Sequence, residues 1–240
     1  MKFLECDPWQ KENGLIHGFG IKGNPGDRIS RLDWKGKCVE SRGACIPLIS
    51  LKQIHGEEIA IFRGGRQEAE NLWEKEGDAL ITEIPGFAIG VFTADCLPIL
   101  LFDPGKRVIA VVHAGWRGTA QGVAKKVVAK MTEIFACRRE DIQAGLGPAI
   151  GPCCYEVDEP VEFAFRQRGL PWEIFAFLRR QGKWSLDLRK ANAYLLGEAG
   201  VLKKNISLLN YCTACQPNLF FSYRREKGTR GRHLNFVALR

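Results

Sequence analysis

The chain has 240 residues, with 35 Lys and Arg against 27 Asp and Glu, a net charge of +8 and only four histidines beside nine cysteines. That length supports a substantial core, and without linker-like tracts, low-complexity runs or internal repeats the chain reads as one domain over residues 1–240. No run approaches the roughly 18 apolar residues of a membrane span and the N-terminus carries no apolar signal core, which argues for a cytoplasmic protein and against a membrane protein; the positive charge favours anionic partners in general.

In chain order, LIHGFGI at residues 15–21 reads as a first strand, followed by a Gly-rich, charged stretch to Ala44. IPLISLKQIHG and EEIAIF read as two strands joined through His55 and Gly56, and the polar segment from Arg63 to Gly77 as a loop. DALIT, FAIGVF, LPILLFD and RVIAVVH are four short strands rich in Val, Ile, Leu and Phe. The DPGK turn pairs the last two as an antiparallel hairpin. From Gly118 to Phe135, apolar residues at Ala120, Val123, Val127, Met131 and Ile134 give a helical period. Ile142 to Leu146 returns to the sheet, EPVEFAFRQR and LRKANAYLLGEAG are helices, and ISLLN and HLNFVAL close the chain as strands. Strands and helices in runs, not in strict alternation, indicate an α+β fold.

The chemistry concentrates between Phe92 and Thr119, where Cys96 precedes one apolar strand and His113 ends the next. With His55, also at a strand end, they supply the three ligands and open position of a catalytic zinc, provided that the fold brings them together; the competing reading is a hydrogen-bonded structural histidine. GWRGT after His113 opens a helix whose first-turn N–H groups and Arg117 offer an anion seat. Asp95 and Asp78 are candidates to orient a ligand histidine or move a proton, and Asp95 reads equally as a turn residue. Arg224, Arg225 and Arg232 are either substrate contacts or surface ion-pair partners, and Trp116 either stacks on a base or caps a helix. The cysteines, odd in number and spread along the chain, read as thiols, some of them ligands. Cys212 and Cys215 form a CxxC whose other half Cys153 and Cys154 lack the spacing to supply, so these four read as thiols packing a core.

Read together, KQIHG, GDALIT, TADCLPILL, VVHAGWRGT, GLGPAIGPCCYEV and the CTACQ and LFFSYRR strings resemble the YfiH-type laccase-domain family, also labelled polyphenol oxidase or purine nucleoside phosphorylase, over residues 46–240. The resemblance implies a single domain of two facing mixed β-sheets with helices packed outside. It implies His55, Cys96 and His113 as ligands of a catalytic zinc, with copper the other possible occupant. It also implies phosphorolysis of adenosine, inosine, guanosine or 5′-methylthioadenosine, with adenosine deamination as a related activity. On that footing Cys96, His113, Asp95 and Arg117 are catalytic candidates, and Arg117, Thr119, Arg224 and Arg225 are candidates for substrate and phosphate. The partners are a nucleoside and phosphate, in a monomer or homodimer. The sequence departs from the family at its start, where the usual long segment is shortened between Gly20 and Ala44.

Composition tests the laccase label independently. Four histidines without an HxH pair do not build a trinuclear copper cluster. His113 is followed by Ala114 and Gly115, not by the HxE of zinc nucleobase deaminases. Two other function classes stay open: a hydrolase of amides in cell-wall precursors with Cys96 as thiolate nucleophile, and a module binding RNA through the basic segment at residues 220–233.

Overall fold

The computed structural model describes residues 2–23, 36, 38–41 and 44–240. Most of the shortened segment between Gly20 and Ala44 therefore lies outside the described residues. Two six-stranded mixed sheets form the domain. Sheet one runs β1 (Lys2–Leu4), β2 (Leu15–Ile21), β15 (His233–Leu239), β7 (Ala88–Thr93), β4 (Ala44–Ile49) and β3 (Cys38–Ser41). Sheet two runs β14 (Ile206–Leu208), β10 (Gln143–Leu146), β8 (Leu97–Asp103), β9 (Val108–Ala114), β6 (Ala79–Thr82) and β5 (Ile59–Phe62). A small third sheet joins β11 (Glu156–Asp158), β13 (Lys183–Leu186) and β12 (Ala176–Arg180).

The continuous apolar strands of sheet two follow from burial on both faces. Leu80, Leu100, Phe102, Ile109 and Val111 point inward against Phe19, Ile49, Ile89, Val91 and Val237 of sheet one. Their alternates Ile81, Ile99, Leu101, Ala110 and Val112 point outward against Val123, Val127 and Met131 of α3 (Val123–Phe135). Each large apolar side chain buried in this way contributes roughly 1.5–3 kcal/mol relative to exposure. On the same outer side lie α2 (Trp116–Ala120), α4 (Glu159–Gln167), α5 (Trp172–Phe175) and α6 (Leu188–Glu198). On the outer face of sheet one, Trp73 at the end of α1 (Arg66–Leu72) packs with Leu48, Phe92 and Phe236.

Four expectations change. The segment from Arg63 to Gly77 contains a helix, because Ala69 and Leu72 are buried against the facing-sheet core despite their polar neighbours. The helix after His113 breaks in two at Gly122, whose φ of +74° turns the chain between α2 and α3. The stretch KQIHG leaves the sheet after Ile49 and forms a loop with His55 at φ +61°. Cys38 and Cys45 are not thiols: they form a disulfide across β3 and β4. Among the described residues, no helix is long and apolar enough to cross a membrane.

Candidate functional site

The β8–β9 hairpin sets the first two functional side chains side by side. Its register pairs Pro98 with His113 and Leu97 with Ala114, so one further step places Cys96 opposite Gly115. On the other edge of β9, Ala79 pairs with Val112, which brings Asp78 alongside His113; the His113 amide donates to the Asp78 carbonyl at 2.7 Å. His55 enters from the loop between β4 and β5, held because the amides of Ile54, His55 and Gly56 all donate to the Asp78 carboxylate, at 3.2, 3.0 and 2.7 Å. One buried carboxylate therefore fixes both histidine-bearing segments.

The ligand atoms of His55, Cys96 and His113 lie within 4.8 Å of one another. The two imidazole rings meet edge to face with centroids 4.8 Å apart. His113 Nδ1 is 2.7 Å from Asp78 Oδ1, which leaves Nε2 as its one ring nitrogen open to a metal. Burial pushes the Cys96 thiol up, and the neighbouring His113 and His55 rings outweigh that effect, bringing it down to about 6. His113 moves the opposite way: burial lowers it, and Cys96 and Asp78 together raise it to about 9. Asp78 stays ionised because the His113 ring and the Gly56 and Ile54 amides overcome the cost of burial. A His₂Cys donor set with one thiolate, backed by a carboxylate on a ligand histidine, fits a zinc ion. Glycines let the backbone close around the triad. A Cβ on Gly115 would lie 3.2 Å from Cys96 Sγ, and one on Gly118 would lie 2.8 Å from the Gly56 carbonyl.

The triad sits at the floor of a cleft of about 840 Å³. Phe92, Trp116, Tyr155 and Tyr223 give it aromatic walls, and Arg117, Arg224, Arg230 and Arg232 give it positive charge. Arg117 stacks on Trp116 with its guanidinium carbon 4.4 Å from the ring, and Arg224 lies 5.2 Å from the Tyr155 ring. Arg117 and Arg230 make no ion pair among the described residues.

Other candidates have other duties. Asp95 is no free base: its carboxylate accepts from Thr213 Oγ1 at 2.5 Å, Ser222 Oγ at 3.0 Å and the Arg224 amide at 2.7 Å. It does so at φ +92°, a strained backbone that the surrounding loops hold in place. Thr119 is fully buried and its hydroxyl accepts from Asn192 Nδ2 at 2.9 Å, so it packs α2 against α6 and does not reach the cleft. Arg225 turns away as well, donating to the carbonyls of Thr213, Ala214 and Phe220 at 2.7, 3.0 and 2.7 Å. From the basic segment at residues 220–233, Tyr223, Arg224, Thr229, Arg230 and Arg232 line the cleft, while Glu226, Lys227 and Gly228 are exposed. The five-residue α2 is also too short to supply the helix dipole expected after His113. Sequence reasoning misses Arg230 and Tyr155, because only the folding of two distant loops onto the hairpin brings them to the cleft.

The sequence profile described as multi-copper polyphenol oxidoreductase laccase matches residues 33–240. Over 201 residues the chain is 39% identical to "Purine nucleoside phosphorylase YlmD" of Geobacillus stearothermophilus, covering 80% of this chain and 72% of that one. It is 39% identical over 188 residues to "Adenosine deaminase RL5" from an unidentified prokaryote, covering 74% and 70%. The crystal structure of the Bacillus licheniformis hypothetical protein YfiH superposes with a TM-score of 0.85 at 28% identity, over 96% of this chain and 95% of that one.

Proposed function

This chain belongs to the multi-copper polyphenol oxidoreductase laccase family, and from that premise we propose that it is a zinc-dependent purine nucleoside phosphorylase and not a copper oxidase. The observation that carries the reading is one cleft in which a His₂Cys triad lies beside aromatic walls and guanidinium groups, two of them without an ion-pair partner among the described residues. A trinuclear copper cluster has no ligands left to use: the remaining histidines, His17 and His233, are buried and accept the backbone amides of Cys6 and Phe221, each at 2.9 Å.

In the proposed reaction a phosphate oxygen attacks the anomeric carbon of the ribose, the N-glycosidic bond breaks, and a proton goes to the departing base. Arg117 and Arg230, free of carboxylate partners among the described residues, hold the phosphate. Trp116, Tyr155 and Tyr223 flank the base and exclude water from one side of the cleft. Asp78 keeps the His113 ring in one tautomer and orientation, and Asp95 holds Arg224 and its loop in place. A zinc ion bound by His55, Cys96 and His113 would supply Lewis-acid polarisation of an oxygen at the reacting centre.

Incubating the protein with adenosine and phosphate and identifying the products tests this reading. Adenine with ribose 1-phosphate supports it. Inosine with ammonia, and no ribose 1-phosphate, replaces phosphorolysis by deamination in the same cleft.

A second reading rests on the Cys96–His113–Asp78 array, a thiolate beside a carboxylate-oriented imidazole. There Cys96 attacks an amide carbonyl, as in a hydrolase of cell-wall precursors. Removing metal with a chelator separates the two, abolishing phosphorolysis and leaving thiolate-dependent hydrolysis intact.

A further inference from the structure

Two pairs of cysteines, separated by 61 and 62 residues, meet beside the loop that carries Tyr155 to the cleft. The Sγ atoms of Cys153, Cys154, Cys212 and Cys215 are all within 4.8 Å of one another. Cys215 Sγ is 3.4 Å from Cys153 Sγ and 3.3 Å from Cys154 Sγ. Around a tetrahedral ion with metal–sulfur bonds of ~2.3 Å, thiolates stand about 3.8 Å apart, so this spread suits a single ion. The distances are too long for sulfur–sulfur bonds, which are roughly 2.05 Å.

The surrounding backbone is built to hold the four thiols. Ala149 and Cys212 form an isolated parallel bridge, with the Ala149 amide donating to the Tyr211 carbonyl at 3.3 Å and the Thr213 amide to the Ala149 carbonyl at 3.1 Å. The amides of Cys154 and Tyr155 both fold back to the Gly151 carbonyl at 2.9 Å, which wraps the two adjacent cysteines around the same point. The Gly151 amide donates to Cys212 Sγ at 3.2 Å, the kind of bond that stabilises a thiolate. A Cβ on Gly151 would stand 3.1 Å from the Arg189 guanidinium and 3.3 Å from both Cys153 Sγ and Cys212 Cβ, so glycine here leaves the cluster its room.

Charge supplies an independent argument. Arg189 is 8% exposed, and its guanidinium donates to the carbonyls of Ala149 and Tyr211, at 3.3 and 2.7 Å, on the two strands of that bridge. It makes no ion pair among the described residues, and a buried guanidinium without a countercharge is costly. Arg179 adds a second guanidinium over the same turn, donating to the carbonyls of Pro152 and Cys153 at 3.1 and 3.0 Å. A divalent ion bound by four thiolates carries a net charge of about −2, and both guanidiniums are bonded to backbone that carries or adjoins the cluster.

We propose that Cys153, Cys154, Cys212 and Cys215 bind a second zinc ion, a structural one held by four thiolates, which ties the loop carrying Tyr155 to the loop carrying Arg224 at the mouth of the cleft. Soft thiolates in a tetrahedral arrangement suit zinc, and the ion releases thiol protons on binding. The ion closes a connection that backbone pairing already prepares. Asp95 fastens the same loops from the opposite side through Thr213, Ser222 and the Arg224 amide, and its own carbonyl accepts from Ile150.

The test is metal content in full-length protein purified under reducing conditions. Wild type is expected to hold two zinc ions per chain. A Cys153→Ser/Cys215→Ser variant, altering two exposed side chains, is expected to hold one, and a His55→Ala/His113→Ala variant the other one. Replacing zinc with cobalt(II) gives a readout that does not depend on activity. The His55→Ala/His113→Ala variant should keep sulfur-to-cobalt absorption of four-thiolate intensity, and the cysteine variant should lose it. The proposal is overturned if wild type holds a single zinc that the histidine variant lacks, or if the cobalt-loaded histidine variant shows no thiolate absorption.

Discussion

His113 Nδ1 and Asp78 Oδ1 lie 2.7 Å apart in a buried pair, and the same carboxylate accepts three successive amides from the His55 loop. Asp78 therefore sets the ring of one proposed ligand and the backbone of another. Asp78→Asn keeps the shape but removes the charge and one acceptor. Metal affinity is expected to fall about 10–100-fold, as for other groups that orient metal-bound histidines. Competition with a chromophoric chelator measures the change.

Gly118 lets α2 approach the His55 loop closely. The Cβ of Gly118→Ala would stand 2.8 Å from the Gly56 carbonyl, a backbone atom that cannot swing aside. The variant is expected to lose about 1–3 kcal/mol of stability in urea unfolding. It is also expected to bind metal more weakly than wild type, because the shift falls on the segment that carries His55.

The two histidines outside the site make the fold acid-sensitive. Burial lowers His17 and His233 from 6.5 to about 4, and each accepts a backbone amide only while neutral. The unfolded chain binds these protons near pH 6.5, whereas the folded chain resists them until about pH 4. Stability is therefore complete above pH 6.5 and falls as pH drops towards 4. Each histidine is expected to withdraw on the order of 3 kcal/mol across that window. Urea unfolding at a series of pH values measures the loss, and His17→Gln is expected to flatten part of the slope.

Structural and cleft-lining arginines are expected to separate. Arg225 donates to three backbone carbonyls and pairs with Glu226 at 2.7 Å, so Arg225→Ala should cost about 1.5–3 kcal/mol of stability. Arg117→Ala and Arg230→Ala remove cations without such bonds. They should leave stability nearly unchanged and raise the KM for phosphate about tenfold or more. Initial rates at varied phosphate, set beside unfolding midpoints, distinguish the two kinds of arginine.

The sequence made some of this legible, for local reasons. The DPGK turn fixes the β8–β9 hairpin, and its register places Cys96 near His113 before any other part of the fold is known. Short continuous runs of Val, Ile, Leu and Phe between turn residues disclosed the sheet-two strands, and the helical period after His113 disclosed α3. What stayed hidden depends on pairing between distant loops. Asp95 reads as a proton-moving group or a turn residue until Thr213 and Ser222 are seen to donate to it, and Arg224 and Arg225 are neighbours with opposite orientations. The four clustered cysteines lack ribbon spacing because two loops, not one knuckle, bring them together. The β12–β13 hairpin escapes a reading of the sequence because exposed Phe177 and Leu178 break the alternation that marks a half-buried strand.

Release of free adenine from adenosine, followed with and without phosphate in zinc-loaded wild type and in His113→Ala, tests the proposed activity most directly. Wild type is expected to release adenine only when phosphate is present, and His113→Ala, with its triad incomplete, to release none above background. No adenine from wild type carrying stoichiometric metal, or release that is indifferent to phosphate, would contradict phosphorolysis at this centre.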